Sequence, residues 1–205
     1  MKKIKNKGAL LCVLAAFVLF AVGGYMYLSY LKEDRAAGQA AAALMKRYET
    51  VAAQSTPAEQ DTTIMVDGEA MFGTVSIEAL GLSMPIYDTL DAEKLKTAPC
   101  RYSGSIEEEN LVIAGYNYES HFADFKQLLP NEKVVLRDVH GVEHRYNIET
   151  VYTVAAEAVV NMKWSDYDLS LFTGNRNGNR RWVVRCKLIE NPGSLELLQE
   201  ETKTQ

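Results

Sequence analysis

The chain has 205 residues, 47% hydrophobic and 24% charged, an ordinary globular balance that excludes disorder throughout. Lys2, Lys3, Lys5 and Lys7 supply four positive charges, and taking these away from a net charge of -5 leaves -9 on residues 8–205. An acidic body without a basic stripe excludes nucleic acid as a partner, because backbone phosphates need a positively charged face.

Residues 1–8 read as a basic cytoplasmic tail. From Ala9 to Leu31 the sequence ALLCVLAAFVLFAVGGYMYLSYL carries no charge and is long enough to cross a bilayer as a helix. KEDR, from Lys32 to Arg35, stops it. The positive-inside rule keeps the N-terminus in the cytoplasm, which predicts a single-pass plasma-membrane protein with its C-terminal domain outside. A cleaved signal peptide is the rival reading. The apolar run is long for one, and it ends in Tyr25, Tyr27 and Tyr30, an interfacial aromatic belt with no small-residue cleavage site. Cys12 follows Leu directly and lies early in the run, so it is read as a membrane cysteine and not as a lipid attachment point.

Residues 32–63 are predicted as a helical stalk and linker. Arg35 to Gln54 is rich in Ala, Leu, Lys and Glu, all good helix formers, and Pro57 breaks the polar stretch from Ser55 to Thr63. The stalk is expected to hold the folded part off the membrane, with no chemistry of its own.

Residues 64–190 read as one β-rich domain. Met71–Ile77, Asn110–Tyr116, Glu132–Asp138 and Glu143–Val154 have the β-branched and aromatic density of strands, the last two joined as a hairpin through His140 and Gly141. Asp168–Thr173 and Arg181–Leu188 form a closing pair. Short helices fit at Asp91–Leu95 and Phe122–Leu129. Several short strands linked by turns predict a small barrel or sandwich. Residues 191–205 are a polar tail. Cys100 and Cys186 are too few for a disulfide framework, and His121, His140 and His144 lack partners at metal-ligand spacing, so no metal and no cofactor is expected.

Four blocks in order carry a resemblance: MFGTVSIEALGLSMPIYD, LKTAPCRYSGS, LVIAGYNYESHFADFKQL and DLSLFTGNRNGNRRWVVRCKL. Together they resemble the sortases, membrane-anchored cysteine transpeptidases of Gram-positive surfaces. The resemblance spans roughly Met71 to Leu188 and implies a mainly β fold, a closed barrel of about eight strands with short helices. It also implies three catalytic side chains. A cysteine attacks the carbonyl of a Leu-Pro-x-Thr-Gly sorting signal, a histidine protonates the leaving amine, and an arginine supports substrate and oxyanion.

Two of those positions are changed here. Where the family has AGHN the chain has AGYN, so Tyr116 stands at the histidine position. Where the family has LFTC the chain has LFTG, so Gly174 stands at the cysteine position. Arg181 matches the retained arginine, and Thr173 and Asn117, beside the changed positions, are the candidate substrate-binding residues. Hydrogen cannot attack a carbonyl, and tyrosine side chains, which ordinarily titrate near pH 10, are poor proton shuttles beside imidazole. Both changes are reachable by single-base substitution.

The expectation is therefore a pseudosortase that binds a sorting-signal peptide or partners an active sortase. The alternatives are an active sortase with relocated residues, or an inactivated copy of one. For relocation, His121 is read as packing at the start of a short helix, and Cys100 and Cys186 as small buried hydrophobes. Arg180, one residue from Arg181, would face the other side of the strand.

Overall fold

The computed structural model describes residues 3–163, 166–175 and 177–190, and the polar tail expected at 191–205 lies outside these. The chain separates into two compact units, one ending at Ala36 and one starting at Ala37. In the first, helix α1 (Lys3–Gln54) presents Leu11, Phe17 and Phe20 at 71%, 71% and 83% exposure. The helix is long and apolar enough to cross a membrane, which makes it a candidate span.

The second unit begins inside the same helix. Ala37, Ala41, Leu44 and Tyr48 recur at the spacing of one helical face and are all buried, and the last three belong to the main core. Where the sequence suggested a spacer, the segment is a cover packed on the domain. Burial, and then the nearby Asp138 carboxylate, push the Tyr48 phenol up to about 12. Leu44→Ala is expected to cost about 2–4 kcal/mol of unfolding free energy, the usual range for a buried leucine. By the same argument, a domain begun at Asp61 should unfold at lower urea than one begun at Ala37.

Nine strands follow among the described residues. They are β1 (Ile64–Val66), β2 (Glu69–Ile77), β3 (Leu82–Tyr87), β4 (Cys100–Ser103), β5 (Leu111–Gly115), β6 (Lys133–Asp138), β7 (Glu143–Ala155), β8 (Leu169–Gly174) and β9 (Arg180–Glu190). Helix α2 (Ala92–Leu95) and 3-10 segments at Ala123–Gln127 and Ala156–Lys163 connect them. Strands β2-β3-β4-β5-β8-β9-β7-β6 form a ring closed by β2 on β6, with β1 paired to the start of β2 outside it. The closed eight-stranded barrel expected from the motif order is thus the observed architecture.

The β6–β7 hairpin turns at His140 and Gly141, as its sequence predicts. Asp138 Oδ1 accepts from the backbone N–H groups of His140 at 2.9 Å and Val142 at 3.0 Å, while Oδ2 lies 3.0 Å from His144 Nε2. Burial alone would raise the Asp138 pKa, but the His144 contact and the two N–H groups outweigh it and hold the carboxyl below the ordinary aspartate range. A depressed folded-state pKa stabilises above the unfolded value, and that stability is lost as pH falls through the folded one. Asp138→Asn should therefore lower stability near neutrality, with the gap to the parent chain narrowing below about pH 4 in urea titrations.

Two apolar clusters organise the barrel. The larger fills the interior with Leu111, Ile113, Tyr146, Ile148, Leu169, Leu171 and Val184. The smaller lies on the outer face of β5, β8 and β9, where Met162 of the 156–163 segment and Tyr102 cover Val112, Ala114, Phe172 and Val183. Tyr102 meets Phe172 edge-on with ring centroids 5.3 Å apart.

Candidate functional site

Strands β5 and β8 run parallel and side by side, with Gly115 opposite Thr173. The next residues, Tyr116 just past β5 and Gly174 at the end of β8, therefore lie at the same end of the sheet. Strand β9 returns antiparallel along the other edge of β8 and sets Arg181 opposite Gly174. Three segments distant in sequence thus bring Tyr116, Gly174 and Arg181 to one end of three adjacent strands.

The connection from β8 to β9 is tied by Asn175. Its backbone N–H donates to the Arg180 carbonyl at 3.0 Å, and its side-chain oxygen accepts from the Arg180 N–H at 3.2 Å. Its amide nitrogen donates to Asn179 Oδ1 at 2.9 Å. This fixes the start of β9, and side-chain alternation then separates the two arginines. Arg180 Nε and Nη2 donate to Thr153 Oγ1 at 3.0 and 2.7 Å. Half-buried Arg181 donates from Nη1 to the carbonyls of Gly178 at 3.0 Å and Arg180 at 3.2 Å. Neither arginine has a carboxylate partner among the described residues.

Gly174 and Gly115 are glycines for different reasons. A Cβ on Gly115 would fall 2.0 Å from Phe122 Cδ2, and Phe122 is fully buried and stacked on Phe125 at 4.4 Å between centroids. Close approach of that ring demands glycine at 115. Among the described residues, a Cβ on Gly174 would meet only Arg181 Nη1, at an ordinary 3.6 Å, and φ there lies outside the left-handed range. Neither its φ nor the space left by the described residues requires glycine at 174.

Tyr116 is half-buried, and its carbonyl accepts from the Phe122 N–H at 3.2 Å. Its ring lies against Tyr118 at 4.4 Å between centroids. Tyr118 in turn meets His121 edge-on at 5.6 Å, and His121 is only 1% exposed. An enclosed His121 fits the packing role expected of it and not a proton shuttle at an open site. Asn117 is half-buried in the loop after Tyr116. Thr173 is fully buried, on the side of β8 that carries Leu169 and Leu171, and its Oγ1 has no hydrogen-bond partner among the described residues. The expectation of a ligand-touching Thr173 side chain does not fit this burial.

Cys100 and Cys186 are both free and fully buried in the interior cluster. Burial pushes the Cys100 thiol up to about 11 and raises Cys186 as well. Cys186 pairs with Leu169, five residues along β8 from Gly174, which is about 17 Å at strand spacing. Trp182, Val184 and Cys186 share the inward side, as alternation predicts.

Sequence reasoning did not single out Arg185, which is only 6% exposed. It donates from Nη1 to Ser170 Oγ at 2.6 Å and to the Met162 carbonyl at 3.5 Å, and from Nε to Tyr152 Oη at 3.0 Å. It pins the 156–163 cover to the strand face. An arginine inside the apolar run WVVRC was the available signal, since a buried charge must find partners. A separate polar cleft of about 830 Å³ lies between the end of α1, the linker, and Thr74, Ser76, Val135 and Arg137 on β2 and β6. In the ring order this is across the barrel from β5 and β8. No group of three or more His, Cys, Asp or Glu suited to a metal occurs among the described residues.

Taken together, the strand end brings Tyr116, Gly174 and the guanidinium of Arg181 to one place. A family model for the sortase domain matches residues 75–189. Among solved structures, sortase C1 from Streptococcus agalactiae aligns with TM-score 0.53 at 16% identity, covering 72% of this chain and 89% of that one. Sortase A from Listeria monocytogenes aligns with TM-score 0.53 at 14% identity over 63% of this chain and 89% of that one. Sortase E from Streptomyces avermitilis aligns with TM-score 0.51 at 25% identity over 58% of this chain and 88% of that one. No curated protein sequence matches.

Proposed function

Because the chain belongs to the sortase family, we propose that it is a non-cleaving member that binds a sorting-signal peptide of the Leu-Pro-x-Thr-Gly type, or an active sortase that handles one. The observation that carries this is Gly174. It stands where the family motif has its cysteine, has room for a side chain, and faces the guanidinium of Arg181. An arginine beside an empty nucleophile position can hold a peptide carbonyl but cannot form an acyl intermediate. Tyr116, at the histidine position, can donate a hydrogen bond and is a poor shuttle for the leaving amine.

Lysines before the apolar half of α1 favour a cytoplasmic N-terminus, with the domain on the outer side of the plasma membrane. The alternative, an active enzyme with relocated chemistry, needs a thiolate from Cys100 or Cys186, and both are enclosed with raised pKa values. Purified full chain incubated with a fluorogenic sorting peptide should give neither turnover nor a covalent adduct by intact mass. Turnover abolished by Cys100→Ala or Cys186→Ala would contradict the proposal and identify the relocated nucleophile.

A further inference from the structure

The β5-β8-β9 strand end is unusual in a chain with a net charge of -5. The start of β9 carries Arg180 and Arg181, and the sequence has no acidic residue between Gly174 and Arg185. Glu157, just beyond the strand that pairs with β9, is exposed and makes no ion pair with a described residue. Three other arginines of the domain are paired with carboxylates: Arg101 with Asp88 at 2.6 Å, and Arg137 and Arg145 with Glu143 at 2.5 and 3.1 Å. Arg181 is instead oriented by two carbonyls on Nη1, beside the volume left open at Gly174.

This composition selects a ligand group. A guanidinium has five N–H donors and no acceptor, and Tyr116, whose hydroxyl can donate as well as accept, follows β5 at the same strand end. An amide nitrogen brought to Arg181 would face donors with a donor. A carboxylate accepts only, and pairs with guanidinium through two parallel bonds. The missing side chain at 174 leaves room for its second oxygen.

We propose that the Gly174–Arg181 end is a site for the free α-carboxylate of an extended peptide, the kind of end left when a Thr–Gly bond is hydrolysed. The inference rests on the peptide-binding reading above and narrows it from an intact signal to a cleaved one. The domain then acts downstream of a hydrolytic reaction as a holder of its acid product.

The test uses the full chain in detergent micelles and three labelled peptides followed by anisotropy. Two are Leu-Pro-Ala-Thr, one ending as the free acid and one as the carboxamide, and the third is the intact Leu-Pro-Ala-Thr-Gly carboxamide. The free acid should bind about tenfold tighter than its carboxamide, as expected for a charge-assisted pair. The preference should shrink between 50 and 500 mM NaCl, disappear in Arg181→Gln, and partly survive in Arg181→Lys. Equal affinities for acid and amide, with the intact peptide still bound, would overturn the carboxylate site and leave peptide binding standing. A preference that persists in Arg181→Gln would overturn the assignment to Arg181. Binding of none of the three would overturn both readings.

Discussion

Gly174→Cys combined with Tyr116→His is expected to turn the domain into a peptide-cleaving enzyme, with turnover of a sorting peptide at least about 10³-fold above the parent chain. The backbone at 174 is ordinary and the new Cβ fits at 3.6 Å from Arg181 Nη1. The added thiol therefore lies near a guanidinium, which favours the thiolate. Register then sets a histidine at 116 on the neighbouring strand end, one residue beyond the Gly115–Thr173 pair. Groups that act as a unit are strongly non-additive, so each single change should recover only a small part of the gain. The readouts are fluorogenic turnover and an acyl adduct by intact mass. A folded double variant with neither would mean that the surroundings, such as the Met162 cover on the outer face, no longer admit the peptide.

The second large effect separates the two glycines. Gly115→Ala is expected to destabilise the domain by about 3 kcal/mol or more, because its Cβ would fall 2.0 Å from a ring atom of fully buried Phe122. Gly174→Ala should stay within about 0.5 kcal/mol of the parent, as substitutions without a packing conflict do. Urea denaturation of both variants measures the contrast. If Gly174→Ala proved as costly as Gly115→Ala, glycine at 174 would be a demand of the fold. Glycine there would then say nothing about a lost nucleophile.

Much of the barrel was legible because its longer strands are dense in β-branched residues, as in EKVVLRD and RWVVRCKL. The two strands between β2 and β5 were not. Strand β3 contains Pro85, which usually argues against a strand, yet β3 pairs with β4 only at Tyr87–Cys100, so a missing N–H at 85 breaks no ladder on that side. Strand β4 has only four residues and offers too short an alternation to recognise. The stripe Ala37, Ala41, Leu44, Tyr48 was present in the sequence but weighed as helix propensity, and small alanines understate how closely a helix can pack.

The candidate site was legible as motif positions and not as geometry. Parallel pairing of β5 with β8 joins segments nearly sixty residues apart, which periodicity cannot specify. The inward burial of Thr173 and the pinning of Met162 by Arg185 both depend on which face of the ring is covered, and that is decided by packing.

Peptide binding without cleavage is tested most directly by an equilibrium titration of the full chain with a labelled Leu-Pro-Ala-Thr-Gly peptide, reading anisotropy and cleavage products from the same samples. Saturable binding with the peptide recovered intact, weakened at least about tenfold in Arg181→Gln, is the predicted result. Cleaved peptide in the parent chain, or binding indifferent to Arg181, would contradict it.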